Sequence, residues 1–223
     1  MLEMYLFINP LGSVCYEAEK NILKLVSQSQ EKINVRFIPL LSLNTISSIM
    51  KKKGLCNNNL EAQHLIAAKI YRIALDYKAA LFQGKKRGHH FLLSLQKHLI
   101  KFQVEYSEKL VYQIAQECDL DLDMFKQDRH SDFTLQSFKQ DQKMAAEMNV
   151  TMHPTLILYN LKGCECAISL ADCEAITFLS GFLNNEFSFA DLKKFHQEQN
   201  TLTGQSHLSQ AFNKYPFFLK INK

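Results

Sequence analysis

Glycine and proline are scarce in this chain, and long apolar runs are missing. Seven Gly and four Pro among 223 residues are too few for a fold made of many tight turns, which argues against an all-β sandwich or barrel. No run reaches the roughly eighteen apolar residues that a membrane-spanning helix needs, so no membrane partner is expected. The N-terminus lacks a basic leader and Glu3 interrupts its apolar run, so neither a secretory nor a lipoprotein signal is expected. No sign of charge dominates: 26 basic residues face 22 acidic ones, for a net charge of +4. The two basic runs, Lys51 to Lys53 and Lys85 to Arg87, each end near a glycine. They read as helix C-termini, where cations complement the helix dipole. A patch for nucleic acid or an acidic partner is the alternative reading, and no nucleic-acid partner is expected. The six cysteines, in a chain read as leaderless, are expected to be reduced thiols in the cytoplasm.

What is present has a clear order. Residues 3 to 8 and 33 to 39 are short runs rich in Ile, Val and Phe and read as buried strands. Between them Ala18, Ile22, Leu25 and Val26 recur at helical spacing. The three segments make a β-α-β unit, which implies a right-handed crossover and parallel pairing. From about 43 to 148 no strand is apparent. Ile66, Ile70, Ile73, Tyr77 and Leu81 mark one long helix, and Leu92, Leu95, Leu99 and Phe102 mark the next. Ser107 reads as the N-cap of a third, carrying Val111, Ile114, Ala115 and Cys118, and short helices follow around 121–129 and 132–148. Strands return at 155–159 and 164–170, and Asp172 caps a helix bearing Ile176, Leu179 and Leu183. The pattern β-α-β, helical insert, β-β-α is that of an α/β thioredoxin fold with an all-helical insertion. The expected division is 1–42 plus 149–187 for the thioredoxin-like domain, 43–148 for the insertion, and 188–223 for a C-terminal helix and tail. That tail ends in an aromatic run, Phe212, Tyr215, Phe217 and Phe218 with Leu219, that either closes the core or docks a partner.

The chemistry-bearing positions lie at the first strand-to-helix turn. Asn9-Pro10-Leu11 leads into Gly12-Ser13-Val14-Cys15 at the head of the helix. A thioredoxin-like protein carries Cys-x-x-Cys there. Here the second cysteine is present as Cys15, and Gly12 stands in place of the first. The turn is therefore a degenerate redox motif with no dithiol, and no catalytic residue is assigned. Cys15 sits where a helix N-terminus favours a thiolate, yet in a working pair the first cysteine attacks and the second resolves. Its role stays open between a buried structural thiol, an oxidant sensor and a catalytic thiol. Ser13 reads either as an N-cap or as a hydrogen-bond donor to a bound thiolate. Pro154, directly before the third strand, matches a cis-proline loop made of His153, Pro154 and Thr155; a cis bond there leaves the preceding backbone open to an extended peptide. His153 is expected beside the position of the missing cysteine. Cys164, Cys166 and Cys173 lack the spacing of common zinc motifs and read as packed free thiols, so neither metal nor cofactor is expected.

The run Leu2 to Leu11 with Cys15 and Tyr16, the segment Gln83-Gly84-Lys85-Lys86-Arg87-Gly88, the segment Leu120 to Lys126, and Lys143 to Val150 leading to Pro154-Thr155 resemble the YjbH/SpxH proteins of low-GC Gram-positive bacteria, in order and in spacing, over about residues 2 to 160. The resemblance implies a DsbA-like fold. It also implies an adaptor that presents the transcription factor Spx, a regulator of thiol and oxidative stress, to the protease ClpXP. The chain departs from that family at Gly12, and because the sequence opens on the first strand, zinc-linked sensing through the His/Cys-rich extension of some members is not expected here. An adaptor needs a docking surface and no dithiol, so that role is expected to survive. The competing expectation is an enzyme: a glutathione-type transferase or isomerase of the DsbA/kappa class using Ser13, or a single-cysteine redox protein using Cys15.

Overall fold

The computed structural model describes residues 1–30, 32–159, 168–171 and 181. Four strands form one sheet in the order β2-β1-β3-β4: β1 (Leu2–Ile8), β2 (Ile33–Pro39), β3 (Thr155–Tyr159) and β4 (Ile168–Ala171). Met4, Leu6, Phe7 and Ile8 of β1 are fully buried, each worth roughly 1.5–3 kcal/mol of transfer free energy. Helix α1 (Ser13–Gln28) links β1 to β2 and buries Ala18, Ile22 and Leu25, as their spacing predicts. Leu2 N–H donates to Lys32 O at one end of the β1–β2 pair and Leu40 N–H to Ile8 O at the other, so the two strands run in the same direction. Strand β4 pairs antiparallel with β3, Thr155 opposite Ala171 and Leu158 opposite Ile168. A thioredoxin fold with a helical insertion is what the described residues form.

The insertion consists of α2 (Leu43–Lys52), α3 (Leu60–Phe82), α4 (Lys85–Gln96), a π-helical turn (Lys97–Lys101), α5 (Glu108–Glu117), α6 (Leu122–Arg129) and α7 (Asp132–Glu147). Short polar side chains start these helices by accepting orphan backbone N–H groups. Ser42 accepts from Thr45, Asn59 from Ala62, Ser107 from Leu110 and Ser131 from Thr134, while Asp121 accepts from both Asp123 and Met124. Buried ion pairs hold the insertion together. Lys78 of α3 pairs with Asp141 of α7. Asp76 of α3 receives Arg129 Nε at 2.6 Å and the Tyr106 hydroxyl at 2.6 Å, and Arg129 also donates to Tyr112 at 2.8 Å. Burial pushes the Asp76 carboxyl above its usual range, against the opposing pull of Arg129.

By contacts the chain falls into two compact units, one of Met1–Leu6, Ala18–Arg36 and the residues from Pro154 onward, the other of Phe7–Glu17 and Phe37–His153.

Two expectations are corrected. The run Lys85 to Arg87 does not end a helix; it opens α4. Gly84, at φ 118°, takes a backbone conformation open to glycine, and the chain turns there between α3 and α4. These cations therefore sit at the positive end of a helix dipole and are solvent-exposed. The following Gly88 lies inside α4, where a Cβ would meet Leu81 Cδ2 at 2.7 Å; a glycine is needed for α3 and α4 to approach this closely. The second correction is Phe102. It does not continue the buried stripe of Leu92 and Leu95 but is 57% exposed. The wider π turn breaks the 3.6-residue period and leaves Phe102 beside the Lys97 ammonium, 5.4 Å from its ring centre. Cys164, Cys166, Cys173, the helix begun at Asp172 and the aromatic run near the C-terminus lie outside the described residues.

Candidate functional site

Asn9 builds the turn that carries the degenerate motif. It is buried and makes three bonds. Its side-chain Oδ1 accepts Leu11 N–H at 2.9 Å, its carbonyl accepts Gly12 N–H at 2.9 Å, and its own N–H donates to Cys15 Sγ at 3.2 Å. The first is an Asx turn, the local bond that makes asparagine a turn former. Tyr16 N–H then donates to Gly12 O at 3.0 Å, which begins the helical ladder.

Ser13 and Val14 open α1 and point outward, whereas Cys15, its third residue, is 1% exposed. A visiting molecule meets the hydroxyl and the valine before the sulfur. His153 completes the group, its Nδ1 lying 3.8 Å from Cys15 Sγ. Three features deliver it. Asn149 takes φ 53° after α7, its N–H bonding to Ala146 O and Val150 N–H to Ala145 O, a left-handed C-terminal cap that asparagine tolerates. Asn44, in the first turn of α2, donates to Thr151 O at 3.3 Å. Gln142 of α7 bonds both Leu41 N–H and Pro39 O, at 3.0 and 2.8 Å. Pro154 and Thr155 follow, both buried, at the head of β3.

Dithiol exchange within one turn needs two sulfurs, one to attack and one to resolve. A Cβ placed on Gly12 would lie 3.4 Å from Cys15 Sγ, yet Gly12 brings no side chain. None of the three described cysteines, Cys15, Cys56 and Cys118, is in a disulfide. Cys118 is no substitute nucleophile, because burial, reinforced by Glu117 and Asp119, pushes its thiol up to about 11. Among the described residues no group of three or more His, Cys, Asp or Glu is placed to hold a metal. Apolar side chains stand exposed one residue from each site member: Val14 (43%) beside Cys15, Met152 (50%) beside His153 and Leu43 (76%) beside Asn44. Sequence reading missed Asn9 as the centre of the turn, although an asparagine before a proline is a turn signal. The run Lys51 to Lys53 does end a helix, α2, as its glycine signals, and Ser42 is the N-cap at the other end.

No helix among the described residues is long and apolar enough to cross a membrane. A family model described as thioredoxin matches residues 5–180. Relatives named ClpXP adapter protein SpxH include one from Bacillus subtilis (strain 168), 33% identical over 175 residues, covering 71% of this chain and 58% of that protein. Another, from Staphylococcus aureus, is 27% identical over 159 residues, covering 71% and 56%. The chain thus spans less than two thirds of the length of these relatives. Among solved structures it resembles a putative protein disulfide isomerase from Nitrosomonas europaea, with TM-score 0.57, 12% identity and coverage of 84% of this chain and 99% of that one. It also resembles a probable DsbA oxidoreductase from Streptomyces coelicolor, with TM-score 0.56, 11% identity and coverage of 82% and 89%. At such identity these likenesses speak for the fold alone. The chain belongs to the thioredoxin family, and among its members it is a relative of the SpxH proteins.

Proposed function

We propose that this chain is a cytoplasmic, non-catalytic adaptor that holds the transcription factor Spx and delivers it to ClpXP, in the control of thiol and oxidative stress. The observation that carries the reading is the 33% identity, over 175 residues, to a protein named ClpXP adapter. The geometry agrees with it: Asn9 orders the turn while its one sulfur is buried, so the site offers a surface and not a dithiol. Val14, Leu43 and Met152 supply exposed apolar contacts of the kind that fill partner pockets. Pro154 is assigned as a cis-proline that presents the loop before β3 to an extended client segment. An adaptor raises the effective concentration of its client at the protease, so micromolar affinity, about 8 kcal/mol, is sufficient.

The test is reconstituted ClpXP proteolysis of Spx with and without this protein. Acceleration that saturates with adaptor supports the reading. An unchanged rate at saturating adaptor, with no complex detected by calorimetry, sinks it.

A second reading rests on Ser13, whose place at the head of α1 is solvent-exposed. A thiol-ligand transferase of the kappa type would set its ligand's sulfur against such a hydroxyl. Retention on immobilised glutathione, abolished by Ser13→Ala, would favour that enzyme over the adaptor.

A further inference from the structure

A concavity reaches the turn at Leu11. It has a volume of about 450 Å³, within the range of small-molecule sites. Its apolar wall comes from Leu11 in the turn, Ile49 of α2, Leu99 and Ile100 of the π-helical turn, and Val104. Lys53 and Lys69 also line it, as do Gln103 and Glu105.

Three observations converge on this cavity. Two of its wall residues come from a π-helical turn, a departure from the α-helix that recurs at functional sites. Gln103 takes φ 53°, a left-handed conformation that is uncommon outside glycine and concentrates at binding sites. The exposed Glu105 carboxylate is bonded to Lys69 Nζ at 3.0 Å. Its carboxyl is held below the usual range by that hydrogen bond and by the charge of Lys69, with Lys53 adding to the pull. The cavity thus has an apolar body and two cations, and the chain's own carboxylate already occupies one of them.

We propose that this cavity binds an amphiphilic monocarboxylate: a small molecule with an apolar chain against Leu11, Ile49, Leu99, Ile100 and Val104, and one carboxylate that takes Lys53 and displaces Glu105 from Lys69. The apolar wall supplies burial, and the two ammonium groups select an anion over a neutral headgroup. Glu105 acts as an internal competitor, so the free site keeps its lysine neutralised until ligand arrives. The inference does not depend on the adaptor role, since it concerns binding by the isolated chain.

The probes are octanoate and its neutral analogue octanamide, titrated into the full chain by calorimetry, with methyl-detected NMR to locate the site. Octanoate is expected to bind at sub-millimolar concentration and to move the methyl signals of Ile49, Leu99, Ile100 and Val104, with octanamide at least tenfold weaker. Lys53→Ala, an exposed change, should weaken octanoate about tenfold. Glu105→Gln should tighten it several-fold by removing the competitor, an effect opposite to that of a residue serving only to hold the fold. Val104→Trp should fill the cavity and abolish binding. The proposal is overturned if octanoate fails to bind at several millimolar, if octanamide binds equally well, if the shifted methyls lie elsewhere, or if Glu105→Gln weakens binding.

Discussion

Restoring a sulfur at position 12 tests the reading of the turn directly. Gly12 is not in the left-handed region, since the positive-φ glycines are Gly54 and Gly84, so Gly12→Cys places no side chain on a strained backbone. The new Cβ would lie 3.4 Å from Cys15 Sγ, 3.2 Å from Asn9 O and 3.3 Å from Asn9 Cβ. The contacts to Asn9 are tight and require a shift of a few tenths of an ångström; the approach to Cys15 is close enough for a sulfur on that Cβ to reach across. Closing a four-residue loop removes about 2 kcal/mol of chain entropy from the unfolded state in the loop-closure model. For a protein of this size that corresponds to a rise of roughly 4–8 °C in Tm for the oxidised form over the reduced one, less what the crowding at Asn9 costs. The assay is peptide mapping by mass spectrometry after equilibration in oxidised glutathione, with Cys56→Ser as background because Cys56 is exposed. Melting curves of both redox forms complete it. A 12–15 disulfide should form, and insulin reduction, expected to read blank in the parent, should appear. If the 12–15 pair stays reduced while the variant is folded, the turn does not have the described geometry and the assignment of Gly12 as the lost nucleophile position fails.

Other perturbations report on the frame around the site. His89 packs against Phe37, with ring centres 4.6 Å apart, and burial, helped by the Lys85 charge, lowers its pKa to about 4. The unfolded chain therefore binds the extra proton first. Stability is full above about pH 6.5 and is lost as pH falls, by about 2 kcal/mol at pH 5 and about 3 kcal/mol at pH 4. Denaturant titrations should show this slope, and His89→Phe should flatten it; an equal slope in the variant would remove His89 as the cause. Arg129→Met leaves Asp76 buried without its guanidinium and should cost about 3–5 kcal/mol; a loss under 1 kcal/mol by urea unfolding would contradict the network. Gly88→Ala drives a methyl into Leu81, whose Cδ2 would sit at 2.7 Å. It should destabilise by about 1–3 kcal/mol despite a gain in helix propensity near 1 kcal/mol, and a stabilised variant would refute the close packing of α3 on α4.

The sequence made the β-α-β opening legible because its strands are dense in buried apolar residues and α1 keeps a regular stripe. Ser107 and the short helices α6 and α7 were equally readable, since cap and periodicity agree there. Periodicity failed at Phe102 because a π turn inserts no residue-level signal of its own; Leu99 and Phe102 look like a continued stripe until the backbone widens. It failed at Lys85 to Arg87 because a glycine beside a basic run marks a helix end and a helix start alike, and only the φ of Gly84 decides between them. At the site, the vacancy at position 12 was visible as a missing residue type. His153 was expected beside position 12 from the proline at 154; its Nδ1 lies 3.8 Å from the sulfur of Cys15. The role of Asn9 was hidden, because its importance lies in three bonds made at once rather than in its identity.

Those three bonds have a consequence for how a thiol enzyme can change trade. The turn is pinned by the Asn9 amide side chain, by main-chain groups and by Cys15 Sγ, and none of the three bonds uses a side chain at position 12. The shape of the turn thereby does not depend on the residue type at position 12. One point mutation at position 12 can remove a sulfur while leaving the bonds of the turn in place, and selection is then free to work on the surrounding surface without first rebuilding a scaffold.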